Sequence, residues 1–168
     1  MGARTASLLL LAATAAVAGC GDEGSPSAPP SCSPHEPDAD DAFAQAHAPR
    51  SDQIALASAI ADRFMQDHIP EEMLWDWGEG VLMLSLVDLS RVTGEARFAV
   101  YYRRFIDHYL GEGYRHLIVT SDRCPPAPSA LALYQETCAP AYRGIVDDTL
   151  RYLYDQALRT EDGGINHL

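Results

Sequence analysis

"VLMLSLVDLSRVTGEARFAVYYRRFIDHYL", residues 81–110, reads as two helices joined by a turn. Val81, Leu82, Met83, Leu84, Leu86, Val87, Leu89 and Val92 are apolar nearly all round a helix, the pattern of an element buried on most sides. Thr93-Gly94 ends it. Phe98, Tyr101, Tyr102, Phe105, Ile106 and Tyr109 then mark one face of an amphipathic helix, which Gly111 is expected to stop. A second small-residue helix from Ser129 to Thr137 and a second amphipathic one on Tyr142, Ile145, Val146, Thr149, Leu150 and Leu153 lie 44 residues further on. At that shift Leu89 falls on Leu133, Thr93 on Thr137, Phe98 on Tyr142, Ile106 on Leu150 and Tyr109 on Leu153. Each unit is an apolar inner helix, a Thr-x-x-x-x-aromatic turn and an amphipathic outer helix. A repeat of this size means stacked helical hairpins; it is too long for the ~34-residue tetratricopeptide or ~33-residue ankyrin unit and sits in the HEAT and armadillo range. The expected class is all-α.

Upstream, Ile54, Ala57, Ile60, Ala61 and Phe64 share one helical face after Ser51-Asp52, so the folded part is expected to span residues 51–168. The only strand-like stretch is Leu117-Ile118-Val119-Thr120, too short for a sheet. The 44-residue shift also aligns the loops entering the inner helices. Asp76-Trp77-Gly78-Glu79 falls on Thr120-Ser121-Asp122-Arg123, and a further step lands on Gly164-Ile165-Asn166-His167. Loops at equivalent repeat positions lie at one end of the stack, where helix N-termini present positive dipole ends to a ligand.

Residues 1–19 carry a short positive start (Arg4) and an apolar run from Ser7 to Val17, too short for a ~20-residue membrane span and fitted to a secretory signal. The closing Val17-Ala18-Gly19-Cys20 resembles the lipobox of bacterial lipoproteins. That resemblance implies lipid attachment at Cys20, a membrane anchor, and a place in the bacterial cell envelope facing the periplasm or exterior. Residues 20–50, rich in Pro, Ser, Gly, Ala and Asp, read as a flexible tether. His35, Glu36, Asp38, Asp40, Asp41 and His47 lie in it without anything to fix a metal geometry, so a solvated acidic linker is the reading and no metal or cofactor is expected.

The chain has no lysine and a formal net charge of −12; removing residues 1–19 takes one arginine and no acid, leaving 11 basic and 24 acidic residues, net −13. That balance argues against nucleic acid as a partner. Cys32, Cys124 and Cys138 remain besides Cys20. A helix of about ten residues between Cys124 and Cys138 rises ~15 Å, beyond the ~7 Å Cα limit for a disulfide, so these two are expected not to pair.

"DWGEGVL" (76–82), "TSDRCPPAPSALALYQET" (120–137) and "RTEDGGINH" (159–167) are similar, in order and spacing, to the unsaturated glucuronyl and rhamnogalacturonyl hydrolases of glycosyl hydrolase family 88/105. The resemblance covers roughly residues 51–168, the N-terminal half of such an enzyme, and implies the first part of an (α/α)6 six-hairpin toroid. It implies hydration of a C4=C5 unsaturated uronic acid at the end of a polysaccharide-lyase product: a carboxylic acid protonates the enol ether, water adds at C5, and the hemiketal opens. Asp122 matches the family's first pocket carboxylate, and His167 the pocket histidine of the glycine loop, with Asn166 beside it as a substrate contact. Read without the resemblance, Asp122 is a helix cap before Pro125-Pro126 and His167 an exposed bystander. Trp77, like Trp75, suits stacking on a sugar face or packing in the core. Asp76 and Glu79 suit the N-terminus of the Val81 helix; Arg159 is a helix-end cation or a partner for a uronate. Two departures stand out. The second hairpin turn is Thr137-Cys138-Ala139 where the family has Thr-Gly-Asp, and the Trp-x-Asp segment of the general acid is absent, so the chain by itself is expected to be inactive toward an unsaturated uronyl oligosaccharide. The alternatives are a non-catalytic helical-repeat binding module and a nonfunctional fragment.

Overall fold

The computed structural model of the chain describes residues 51–166. The expected leader and tether, with Cys20 and Cys32, and the expected site residue His167 lie outside the described residues. Five α-helices follow in order: α1 (Ser51–Asp67), α2 (Trp77–Thr93), α3 (Ala96–Glu112), α4 (Ala127–Thr137) and α5 (Pro140–Arg151). Short 3-10 turns at Pro70–Glu72, Arg115–Leu117 and Ser121–Arg123 bridge them, and a π-turn, Tyr152–Gln156, follows α5. No strand occurs among the described residues; Leu117 closes a 3-10 turn, and Arg159 and Ile165 form an isolated antiparallel bridge. The architecture is the expected all-α one, with α2–α3 and α4–α5 as the two repeated hairpins, consistent with a fragment of a six-hairpin fold.

The repeat holds at the level of atoms. In the first hairpin turn the Thr93 hydroxyl donates to the Leu89 carbonyl at 2.6 Å and accepts from the Glu95 N–H at 3.1 Å. In the second, Thr137 donates to Leu133 at 2.6 Å and accepts from Ala139 at 3.2 Å. The next residue is left-handed in both, Gly94 at φ +70° and Cys138 at φ +54°, and its N–H reaches back to Ser90 or Tyr134. Glycine enters that region freely; a side chain there costs about 1–2 kcal/mol. The unusual Thr137-Cys138-Ala139 turn therefore keeps the geometry of its partner at a cost in backbone strain. Cys124 is buried and free while Cys138 is disulfide-bonded, so the two do not pair with each other, as expected.

Outer-helix tyrosines stitch successive layers. Tyr101 donates to the His68 carbonyl (3.0 Å), Tyr109 to that of Met73 (2.7 Å), Tyr142 to Asp107 (2.7 Å) and Tyr152 to the Val119 carbonyl (3.1 Å). Arg97 and Arg104 add bidentate pairs to Asp62 and Glu71.

Three expectations are corrected. α3 runs through Gly111 to Glu112, and Gly113, at φ +91°, ends it. α2 is not covered nearly all round: Gly80, Met83, Leu86 and Val87 are buried, yet Val81 and Val92 are about half exposed, at 48% and 51%. α1, α3 and α4 pack against α2, and no described element lies over its remaining face. Along α1 only Ala61 is buried, and Ile60 stays 62% exposed, because α2 is its main packing neighbour.

Candidate active site

The loop before α2 is built around Asp76. It is the N-cap: its carboxylate accepts from the Trp77 N–H at 2.8 Å, and its carbonyl accepts from Gly80 at 2.9 Å. Asp76 thus fills the N-terminal place read from sequence, and its negative charge sits where the helix dipole favours one. Trp75, one residue earlier, is core. It is 1% exposed, stacks on Phe105 and Tyr114, and meets Tyr109 edge-on. Trp77 is 57% exposed, which removes the core reading for it and leaves a flat apolar ring open at the mouth of α2.

The equivalent loop before α4 is the 3-10 turn Ser121–Arg123, locked to the first loop by a reciprocal clamp. The Trp75 indole N–H donates to the Arg123 carbonyl at 2.8 Å, while the Arg123 guanidinium donates to the Trp75 carbonyl at 2.6 Å and lies 3.3 Å from Asp76. These bonds join residues 48 apart and hold Asp122, half-buried, between the clamp and the chain entering α4. The capping reading of Asp122 does not survive: α4 begins at Ala127 with Pro126 in the N-cap position. Asp122 instead faces the neighbourhood of Cys124, whose thiol is pushed up to about 11 by burial first and by the Asp122 charge second.

The third loop follows the π-turn. Its turn is closed by Thr160 N–H to Gly164 O (2.9 Å) and Gly163 N–H to Thr160 O (3.0 Å), with Gly163 at φ +86°, as the Glu161-Asp162-Gly163-Gly164 chemistry leads one to expect. Arg159 donates to the Leu153 and Gly163 carbonyls; it orients this loop and serves as a helix-end cation. Asn166 is exposed, and its carbonyl accepts from the Ser121 hydroxyl at 3.4 Å. The loops predicted to be adjacent by the 44-residue step are therefore adjacent: first to second through Arg123, second to third through Ser121.

The wall they form is open. A cavity of about 620 Å³ lies beside the first loop, lined by residues that include Asp67, His68, Glu72, Gly78, Glu79 and Leu82, but Trp77, Asp122 and Asn166 do not line it. Its three carboxylates make it a poor seat for an anionic uronate. Among the described residues no cluster of three His, Cys, Asp or Glu side chains is placed to hold a metal ion, and no helix is long and apolar enough to cross a membrane.

Sequence reasoning passed over two residues that build this site. Arg123 was read only as part of a loop, although an arginine next to the aligned acid was the available signal. Gly80 lets α2 approach the second loop: a Cβ there would lie 2.5 Å from the Pro125 carbonyl carbon and 2.6 Å from the Pro126 nitrogen. Nothing local in "DWGEGVL" marks that contact. No solved structure matches the chain. The sequence profile of Glycosyl Hydrolase Family 88 matches residues 56–168, which takes in all three loops and both hairpins. The chain belongs to glycosyl hydrolase family 88.

Proposed function

We propose that this chain forms the substrate-holding side of a pocket that hydrates C4=C5 unsaturated uronic acids at the ends of polysaccharide-lyase products. The observation that carries the reading is the joining of three equivalent loops at one end of the hairpin stack by the Arg123 clamp and the Ser121–Asn166 contact. Trp77 offers the ring face for the sugar, and Asp122 the carboxylate that orients substrate and the incoming water. Asn166, with His167 next in sequence, supplies polar contacts from the third loop.

The reaction also requires a proton at the double bond, and general acid catalysis contributes ~10²–10⁴-fold. No Trp-x-Asp segment, the family context of that acid, occurs in the sequence. The reading therefore assigns positioning to this chain and protonation to a carboxyl beyond these residues. We propose also that the protein is lipid-anchored through Cys20 and works at a membrane surface in the cell envelope, on the strength of the Ser7–Val17 run and Val17-Ala18-Gly19-Cys20.

The test is a fusion of the chain to the C-terminal half of a family member, assayed by loss of the enol ether's ultraviolet absorbance with a Δ4,5-unsaturated uronyl disaccharide. The fusion should turn over substrate, and Asp122→Asn in it should remove most of that activity without changing its far-UV circular dichroism. A fully active Asp122→Asn fusion takes Asp122 out of the site. A folded but inactive fusion favours a non-catalytic binding module.

A further inference from the structure

We infer that Cys138 is joined to Cys32, so that a disulfide staples the segment ahead of the first helix to the turn of the second hairpin. Four cysteines occur in the chain: Cys20, Cys32, Cys124 and Cys138. Cys138 is disulfide-bonded, and Cys124 is buried and free. Within the chain the partner of Cys138 is therefore Cys20 or Cys32. The choice of Cys32 rests on the lipid-anchor reading, in which the Cys20 sulfur carries the lipid and is no longer a thiol.

The turn and the placement of α1 agree with that partner. Cys138 holds the left-handed position, φ +54°, that Gly94 holds at +70° in the first hairpin, and among the described residues it is the one non-glycine residue with a positive φ. A β-carbon is disfavoured there, so the local backbone gives no reason for a cysteine in place of the glycine. A covalent role for its half-buried sulfur gives one. Gln53 and Ile54 at the start of α1 line one groove with Leu89 and Val92 at the end of α2, and Arg91 of α2 donates to Gln135 of α4 at 3.2 Å. The head of α1 thus lies at the same end of the stack as the Thr93 and Thr137 turns. α1 packs on α2 and α2 on α4, which puts it two helix spacings from Cys138, about 20 Å. Cys32 stands 19 residues before Ser51, and a chain of that length reaches up to about 60 Å, so the bond is within covalent reach. The site loops open at the opposite ends of α2 and α4, away from it.

Closure is an oxidation. The Cys32 and Cys138 thiols release two protons and two electrons to a disulfide-bearing oxidant, whose own S–S bond breaks to leave two thiols as the new bond forms. The ring so closed, residues 32–138, takes in α1 to α4 and ties the first hairpin to the second. It stabilises by restricting the unfolded chain, and a reducing environment releases it. It also shortens the path along the chain from Cys20 to the folded part from 31 residues, ending at Ser51, to 12, ending at Cys32.

Peptide mapping of the full chain, produced with its leader in an oxidising envelope and digested without reduction, tests it. Cleavage after Glu23, Glu136 and the arginines parts Cys32 from Cys20 and Cys138 from Cys124. Mass spectrometry should find the Cys32 peptide linked to residues 137–143, two hydrogens lighter than the separate thiol peptides and parted by reduction. Cys32→Ser should leave Cys138 open to a maleimide. The same variant should melt about 10 °C below the oxidised wild type, at the temperature of the reduced wild type, with no further fall on reduction. Cys138 recovered as a thiol, linked to Cys20, or linked to Cys138 of a second copy each overturns the proposal, as does a Cys32→Ser protein that melts with the oxidised wild type. The Cys32–Cys138 link found in a protein whose Cys20 carries no lipid would sink the anchor reading and leave the link standing.

Discussion

Replacing Gly80 by alanine should destabilise the protein, although the same change in an open helix stabilises. Gly80 is the fourth residue of α2, and a Cβ there falls 2.5 Å from the carbonyl carbon of Pro125, 2.6 Å from the nitrogen of Pro126 and 2.7 Å from Cβ of Pro125. Ordinary carbon contacts lie at ~3.5–4.0 Å, so the Pro125-Pro126 segment must retreat by about 1 Å. Both prolines have φ held by their rings, and no flexible side-chain end is available to yield. Overpacking of this kind costs about 1–3 kcal/mol, against a helix-propensity gain of about 1 kcal/mol for replacing glycine. The net expectation is a loss of up to about 2 kcal/mol. Gly144, the fifth residue of α5, is the control: a Cβ there meets only the Tyr114 hydroxyl at 3.7 Å, an ordinary contact, so Gly144→Ala should gain up to about 1 kcal/mol. The propensity gain is common to both, so the two variants should differ by the overpacking cost, about 1–3 kcal/mol, in urea unfolding, as a shift in midpoint at constant slope. Because Pro125-Pro126 leads on from the Asp122 turn, Gly80→Ala should also loosen the Trp75–Arg123 clamp and alter Trp75 fluorescence. A Gly80→Ala protein as stable as Gly144→Ala would refute the close-approach argument.

Alkaline pH should unfold the stack through its tyrosines. Burial, then hydrogen bonding to Asp148 and Asp107 respectively, pushes Tyr114 and Tyr142 up to about 12, and Tyr102 is raised further by burial and Glu136. Folded values raised above the ordinary ~10 mean stability intact below pH ~10 and lost as pH climbs toward 12; helical circular dichroism and urea midpoint that stay unchanged from pH ~9 to ~12 would contradict this. Arg123→Met, which removes the guanidinium half of the clamp and leaves the Trp75 carbonyl short of a donor, should cost about 1–3 kcal/mol in urea unfolding, and a change under 0.5 kcal/mol, about the scatter of a neutral surface substitution, would mean the guanidinium does not hold the loops. Cys20→Ala should release the protein from the membrane fraction, and normal fractionation would count against the lipid anchor.

Much of the scaffold could be read along the chain because a repeat copies local chemistry. Thr93 and Thr137 each bond the carbonyl four residues back and the N–H two residues on, contacts that depend only on their own turns. The all-α class, the two hairpins, the equivalence of the three loops and the separation of Cys124 from Cys138 all follow from such short-range rules. Other features depended on what lies opposite. Trp75 and Trp77 are two residues apart, yet one is 1% exposed and the other 57%, because only Trp75 has Phe105, Tyr109 and Tyr114 against it. Apolar periodicity says that Val81 and Val92 can be buried, while their half exposure is set by which elements pack on α2. The Arg123 clamp spans 48 residues, and the demand for glycine at Gly80 comes from a proline pair 45 positions away. Propensity acts over a turn or two of chain, whereas close approach and partner choice arise only when distant segments meet; that is where tertiary structure, and not sequence alone, decided the site.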